Sequence, residues 1–583
     1  MKKVSALRLL IGLTISSVLF FVNCSSPANR NPADSAPTAQ GDINITASDI
    51  DLNKMTFSNQ NFKLFESSNF YSGIRTDAGH IKFINEFQTH HMIRLISFEW
   101  AVKLSNACVP QAVNDYSNCL LQFKNGLESS RVYLDHLTKL NSTSIFLVDI
   151  FRTPYWLSTQ INQSGLACGG GDLTMSYRPK DYIVWKQMLQ ITAEFFKTYE
   201  NQINGPKIYY QFWNEPDLAC NWQEGTPEFL QLYSNTMPYL KSIHPSSKVG
   251  GPGVESWKGR IAKDGANRPQ PLLFDLIQVS KEQNWPMDYV SFHYFSENYT
   301  GDFSDGTQAI RSFQKSLAIS QMQMPIFLSE WLPQSTTPYG YNSKQAADAG
   351  NLYLALDSSS IEAQGGIPFQ DYGPLPSDQW GLIGYDPPLE KPIFEVYKFF
   401  DAISRTSLGI NHWKEKIEVN FSNSALQSVF SIGERSYVVS KEPNNCYKIS
   451  TWNRLGEADD TSIAYLIGEG LDLATLQKVY GTDNQFKTKL VEAIRNNQPF
   501  DSKWKLAFEN AKFILKRIET IRTKESYNYQ IKILAKTINS SIGKSVSGKN
   551  INKTNMPVQV DRNVLSFPLI PEEVAFISFC ISG

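Results

Sequence analysis

Histidine and cysteine are scarce in this chain, seven of each in 583 residues, and neither type falls into a metal-binding spacing. No CxxC pair and no HExxH signature occurs, so a zinc site built from those ligands is not expected, and no other metal or cofactor is called for. A dominant charge is lacking too. The 55 basic and 56 acidic residues leave a net charge of −1, which gives no global field to draw the protein to nucleic acid or acidic polymers. Beyond residue 22 no apolar run is long enough to span a bilayer, and no repeat recurs at a fixed period. The glycine-rich stretches at 169–171 and 250–253 lack the Lys-Ser/Thr pair and the helix start that a phosphate cradle needs. They are expected to be tight turns.

What is present is material for a large core. Hydrophobic residues make up 42% of the chain and aromatics 13%, and the length exceeds what one core usually supports, so two domains are expected. The N-terminus reads as an export signal: Lys2, Lys3 and Arg8 precede an uncharged apolar stretch over 9–22, which ends before Cys24. Residues 1–24 resemble a bacterial lipoprotein signal, in which the cysteine becomes the lipidated first residue, although Asn23 departs from the usual small residue there. Cleavage nearby with an unmodified Cys24 remains the alternative; both imply export, and the first implies a lipoprotein at the outer membrane or cell surface. Residues 25–47 read as a tether, because their Ser, Pro, Asn and Ala cannot bury apolar surface.

From about 60 to 405, short apolar runs alternate with amphipathic stretches. Strands are expected at 62–65, 92–97, 144–150, 207–212, 248–251, 289–293, 326–329 and 365–369, with helices between them, for example 182–199 and 345–356. Eight strands alternating with helices define an α/β fold, a (β/α)8 TIM barrel over 48–408. From 409 to 583 the pattern changes to strand-like alternation, a C-terminal β-sandwich, interrupted by a helical insertion at about 458–524. In that insertion Trp504, Phe508, Ala511, Leu515 and Ile518 recur at steps of four and three, one apolar helix face. Lys503, Lys505, Lys512, Lys516 and Arg517 flank it. Packing on the sandwich is the simpler reading; lying on a membrane surface is the other.

The sharpest signal is a strand running into Trp213-Asn214-Glu215-Pro216. Proline ends the strand, which sets Glu215 at the C-terminal mouth of a barrel, where such barrels carry their chemistry. A chance match to those four letters arises in about one chain in a few hundred of this length. The second signal is a buried-type strand ending in Ser329-Glu330-Trp331. Counted along the barrel these are strands four and seven. Two carboxylates converging there at roughly 5 Å suit a double displacement, one attacking the anomeric carbon and the other donating and then accepting a proton.

These residues resemble the clan A glycoside hydrolases, and most closely glycoside hydrolase family 39, which contains β-xylosidases and α-L-iduronidases. The likeness spans about 60–405. It is carried by the two carboxylate motifs and, less specifically, by Asn61-Phe62-Lys63-Leu64-Phe65 with Arg75, His91-Met92-Ile93-Arg94, Phe151-Arg152-Thr153-Pro154-Tyr155-Trp156, Val290-Ser291-Phe292-His293-Tyr294 and the 381–400 segment. The resemblance implies a retaining glycosidase, with Glu215 as acid/base, Glu330 as nucleophile, Asn214 on a substrate hydroxyl and Arg94 near the nucleophile. His293 and Tyr294 would reach the sugar. Exo action on xyloside-like glycans is the first reading. An endo-acting clan A polysaccharide hydrolase and an inactive glycan-binding surface lipoprotein are the alternatives. Two departures bear on sugar specificity: Leu95-Ile96-Ser97 stands where the family often has a histidine, and Phe295 where many relatives have a tyrosine.

Trp380, after strand eight, is the best stacking platform; Trp156 and Trp213 are others, with Trp213 better explained as core. Glu99, Asp149 and Glu255 are further sugar-contact candidates. Six cysteines remain in the exported part, an even number in an oxidising compartment. The expected pairs are Cys108–Cys119, Cys168–Cys220 and Cys446–Cys580, out of 15 possible arrangements. The expected partners are a carbohydrate substrate and, through the anchor alone, a membrane; no nucleic acid is expected.

Overall fold

The computed structural model describes residues 47–57, 64–68, 91–254 (apart from 113, 140–142, 162, 164 and 166–172), 272–295, 324–332 and 364–369. It further describes 392–582, apart from 422–428, 457, 482–484, 524–526, 535–540, 543–545, 551–555, 562 and 570–572. The signal and the tether up to residue 46, with Cys24, lie outside these residues, as do the 345–356 helix, Arg75, Glu255, Trp380 and Cys168; Ala47, expected in the tether, is strand.

The chain begins, in its described part, with β1 (Ala47–Asp51), and then builds a closed parallel barrel. Its strands are β2 (Leu64–Ser68), β3 (His91–Leu95), β4 (Thr143–Ile150), β5 (Lys207–Phe212), β6 (Lys248–Val254), β7 (Tyr289–Phe295), β8 (Ile326–Leu332) and β9 (Gln364–Phe369). All eight expected strands are present, and β9 closes on β2 with Leu64 beside Gly365. Inward-facing side chains alternate with outward-facing ones. Met92, Ile145, Leu147, Tyr289 and Phe327 form an apolar plug inside the barrel. Two residues further along the strands come Arg94, Asp149, Gln211, Ser291 and Ser329, all buried and polar. The period of two therefore lays a polar floor on an apolar plug at the C-terminal mouth.

Outside, Phe146, Val148 and Ile150 of β4 meet the helices. The helix Tyr182–Glu200 starts at Asp181, whose carboxylate accepts from the N–H groups of Ile183 and Val184 and caps two otherwise unbonded donors. Its buried face, including Trp185, Met188, Phe196 and Tyr199, seals the barrel on that side. The Gly250–Gly253 stretch is not a turn beyond the strand, as expected, but lies within β6, whose pairing with β7 shifts register there. Gly251 takes φ +101° before a cis bond to Pro252, a conformation that β-carbon-bearing residues rarely adopt.

The sandwich pairs a four-stranded sheet, β1-β13-β17-β16, with a sheet ordered β10-β11-β12-β18-β14, β15 also pairing with β18. Here β10 is Gly409–Asn420, β11 Val429–Glu442, β12 Cys446–Leu455, β13 Tyr527–Leu534, β14 Ser541–Ile542, β15 Ser547–Asn550, β16 Gln559–Asp561, β17 Val564–Leu569 and β18 Val574–Ser582. The start of the barrel domain, expected at 48, needs correction. Ala47–Asp51 pairs in parallel with β13, so the barrel is inserted between the first sandwich strand and the rest. Ile50 is fully buried in the sandwich core with Ile449 and Phe567, while Asp49 beside it is exposed. Val438, Trp452 and Phe576 of the sandwich join the core of the barrel, where Phe399 of the helix Pro392–Thr406 meets Phe576 at 5.2 Å between ring centres. Lys549 Nζ also reaches Glu395 Oε2 of that helix at 2.5 Å.

The insertion folds as helices Ala458–Gly468, Leu473–Tyr480, Phe486–Asn496 and Lys505–Thr523. Phe508, Ala511, Leu515 and Ile518 are fully buried in a separate core with Ile417 of β10, Ile432 of β11 and Phe421 just beyond β10. The apolar face is thus consumed by packing on the sandwich, and the membrane-surface alternative falls. No helix among the described residues is long and apolar enough to cross a membrane. The Cys108–Cys119 and Cys446–Cys580 disulfides are present, the second joining directly opposed residues of β12 and β18. Cys220 is disulfide-bonded; its expected partner lies outside the described residues.

Candidate active site

Beyond Phe212 the chain leaves regular strand geometry without leaving the barrel. Trp213 adopts φ +59° and Glu215 φ +44°, left-handed conformations that non-glycine residues hold at a cost of about 1–3 kcal/mol each and that cluster at functional sites. Neighbouring strand ends hold them. Trp213 N donates to Ile150 O at 3.0 Å, Gly253 N to Trp213 O at 3.2 Å, and Glu215 N to Gly253 O at 2.7 Å. The Trp213 ring is wholly buried, and its Nε1 donates to Asn221 O at 3.0 Å. Trp213 is therefore core, as is Trp156, buried with Nε1 3.4 Å from Ser105 Oγ; neither offers a face to a sugar.

The Glu215 carboxyl stands at the mouth with its side chain 14% exposed. Its Oε1 lies 2.9 Å from His293 Nδ1, and its Oε2 accepts from Asn221 Nδ2 at 3.4 Å. His293, on β7, is fully buried in its side chain. It fits because residue 253 is glycine: a β-carbon there would lie 2.9 Å from His293 Nε2 and 3.0 Å from Gln211 Nε2. In the β7–β8 register His293 stands opposite Glu330, and Tyr294 opposite Trp331, after a bulge between Phe292 and His293. The backbone thus carries Glu330 beside the residue that touches Glu215, at the same rim of the barrel. The side chains of Glu330, Tyr294 and Phe295 lie outside the described residues.

Asn214 is fixed from below. Its Oδ1 accepts from Arg94 Nη2 at 2.5 Å, while Arg94 Nε donates to Asp149 Oδ2 at 2.7 Å. Asp149 Oδ1 accepts in turn from Gln211 Nε2 at 2.8 Å. Arg94 and Asp149 are almost wholly buried, and each needs the other, because an uncompensated charge there would be expensive. Asp149 is accordingly a floor residue and not a sugar contact. Glu99 is corrected in the same way: it is buried, accepting from Lys103 Nζ at 3.0 Å and lying 3.7 Å from Arg152 Nε. Asn221, Arg152 and Gln211 were not singled out from the sequence. Arg152 lay inside the Pro-containing segment that carried the resemblance, but nothing in the local pattern marks a buried guanidinium. Among the described residues no cluster of His, Cys, Asp or Glu has the makings of a metal site.

A closed parallel barrel carries one carboxylate after Asn beyond its fourth strand and another within its seventh, the arrangement that the resemblance to clan A glycoside hydrolases implies. Comparison narrows it. A family model described as "Glycosyl hydrolases family 39" matches residues 170–419. A β-xylosidase of Geobacillus stearothermophilus is 27% identical over 143 residues, 22% of this chain and 25% of that protein. A β-xylosidase of Caldicellulosiruptor saccharolyticus is 20% identical over 221 residues, 34% and 41% respectively. The chain therefore matches between a quarter and about two fifths of the length of these relatives. Among solved structures, a family 39 β-xylosidase from Caulobacter crescentus superposes with a TM-score of 0.52 at 13% identity, covering 91% of this chain and 99% of the other. A glucosidase from Croceicoccus marinus gives 0.50 at 11% identity, with 90% and 97% covered; at these identities the likeness concerns the fold. Over residues 170–419 this chain is thus similar to glycoside hydrolase family 39.

Proposed function

We propose that the protein is a retaining, exo-acting glycosidase that removes xyloside-like sugars by double displacement, with Glu215 as acid/base and Glu330 as nucleophile. The observation that carries this is the mouth geometry: Glu215 bonded to His293, and His293 opposite Glu330 in the strand register. Both relatives reported above from sequence bear the name β-xylosidase, which is what suggests the sugar and the exo action.

The chemistry follows from these positions. The Glu330 carboxylate attacks the anomeric carbon as the glycosidic bond breaks, and the leaving oxygen takes the Glu215 proton. The resulting Glu215 carboxylate then takes a proton from water as that water attacks the anomeric carbon. The bond to Glu330 breaks, the sugar leaves with its configuration retained, and Glu215 is protonated again. Asn214, with its oxygen committed to Arg94, presents its NH2 group to a substrate hydroxyl. Export and anchoring through Cys24 belong to the same proposal. The two described disulfides suit an oxidising compartment.

The test is hydrolysis of a panel of nitrophenyl glycosides by the exported portion beside Glu215→Gln and Glu330→Gln. Cleavage of one sugar, with retained configuration in the product and loss in both variants, supports the assignment. Activity on polysaccharides alone would replace exo with endo action, and binding without hydrolysis would leave a glycan-binding lipoprotein. Incorporation of labelled palmitate that persists in Cys24→Ser would remove the anchor.

A further inference from the structure

We infer that Asn221 is a positioning residue for the Glu215 carboxyl and that Arg152 dictates which end of the Asn221 amide faces it, a role that rests on the acid/base assignment of Glu215 above. Asn221 is 1% exposed. Its backbone is pinned by Asn221 N donating to Leu218 O at 2.9 Å and by Trp213 Nε1 donating to its carbonyl at 3.0 Å. Its side chain lies between two unlike groups. Arg152 Nη2 donates to Oδ1 at 2.9 Å, and Nδ2 donates to Glu215 Oε2 at 3.4 Å. A guanidinium has donors only, so the amide can meet Arg152 with its oxygen alone, and the NH2 end is thereby turned to the carboxyl.

Arg152 is built to impose that choice. It is fully buried and held at φ +79°. Its Nη1 donates to Ser176 Oγ at 2.8 Å and to Cys220 O at 3.3 Å, its Nε lies 3.7 Å from Glu99 Oε1, and its guanidinium carbon is 4.1 Å from the centre of the Phe151 ring. These contacts draw on the loops after β4 and β5 and on the helix after β3, so the orientation of Asn221 is set jointly by three separate segments of the barrel. For Glu215 the consequence is two-sided restraint: His293 at Oε1 and Asn221 at Oε2 fix the plane of the carboxyl. A 3.4 Å contact is long for a hydrogen bond, which suits a group that must aim a carboxyl at the leaving oxygen yet let it change charge in each half-reaction.

The experiment separates aiming from folding through the leaving group. Two aryl glycosides of the same sugar are compared, an unactivated phenyl and a 2,4-dinitrophenyl glycoside, with Glu215→Ala as reference, because departure of dinitrophenolate needs no acid. In Asn221→Ala, kcat/KM for the phenyl glycoside should fall about 10- to 100-fold while the dinitrophenyl value stays within about threefold, a muted copy of Glu215→Ala. Arg152→Lys, which cannot hold Asn221 and Ser176 together, should show the same asymmetry. Equal losses on both substrates, or none, would overturn the inference. If the wild-type protein cleaves neither glycoside, the exo-acting reading has failed and not the positioning claim, and a crystal structure of Asn221→Ala then decides that claim alone. A Glu215 carboxyl turned away from its present plane is expected, and one that stays in place overturns it.

Discussion

Arg94 donates through Nη2 to Asn214 Oδ1 at 2.5 Å and through Nε to Asp149 Oδ2 at 2.7 Å, so one buried guanidinium ties the ends of three successive barrel strands. With its oxygen held by Arg94, Asn214 keeps its NH2 group as the donor that the proposed mechanism turns to substrate. Asn214→Asp keeps an acceptor for Arg94 but has no N–H to offer. The thermal midpoint should stay within a few degrees of wild type while kcat/KM falls about 10²- to 10³-fold, the usual loss when one transition-state donor is removed. Steady-state kinetics beside a melting curve checks this; retained kcat/KM would show that Asn214 serves the floor alone.

The Arg94–Asp149 pair also carries stability. Both side chains are about 2% exposed or less, and Asp149 shares its second oxygen with Gln211. Asp149→Ala strands a buried cation, and breaking such a pair costs about 3–5 kcal/mol. Denaturant unfolding of the variant should reveal that loss. An effect below about 1 kcal/mol would mean that water reaches Arg94 and replaces the carboxylate.

Gly253→Ala tests how His293 is seated. The new methyl would lie 2.9 Å from His293 Nε2 and 3.0 Å from Gln211 Nε2, so the imidazole must move, and its contact with Glu215 moves with it. Overpacking of this kind costs about 1–3 kcal/mol. Activity should fall about tenfold or more at temperatures where the variant is still folded, since misplacement of a catalytic group is costly even over short distances. Full activity in folded Gly253→Ala would leave His293 a packing role only.

The barrel was legible because its strands announce themselves twice, by apolar runs and by what ends them. Glu215 follows a strand stopped by Pro216, and β5 begins and ends at Lys207 and Phe212, where the pattern puts it. The one-letter pattern says less about Gly250–Gly253, since glycines suit a turn and a bulged strand equally, and only the approach of Tyr289, Phe212 and His293 selects the latter. The joining of Ala47–Asp51 to β13 is illegible for a different reason: the pairing spans more than 470 residues and leaves no local signature. Glu99 and Asp149 looked like sugar contacts because both sit near strand ends. Glu99 pairs locally with Lys103, but Arg152 beside it and the Arg94 that binds Asp149 are distant in sequence, and a buried ion pair of that kind is recognised only when both ends are in view. Asn221 escaped for the same reason, its meaning depending on Arg152 and Glu215 together.

Acid sensitivity should arise at the opposite end of β5 from the catalytic mouth. His244, 1% exposed, lies between Tyr210 OH at 2.9 Å from Nδ1 and Glu200 Oε2 at 2.8 Å from Nε2. Burial lowers its pKa most, with Lys197 and Lys241 adding to that and Glu200 opposing it. Burial raises that of Glu200, but bonds from His244 and Ser246 hold it below the usual value on balance. Both shifts act in one direction. The unfolded chain takes up a proton on His244 near pH 6.5, where the folded ring does not, so stability present above that value is lost as the pH falls toward the lowered folded pKa. Glu200 adds its own loss below about pH 4.5, where the unfolded carboxylate protonates first. The thermal midpoint should therefore decline from pH 7 to 5, and His244→Gln, which retains an acceptor for Tyr210 or a donor for Glu200 but cannot titrate, should flatten that decline. Parallel declines in the two proteins would assign the acid sensitivity to other groups.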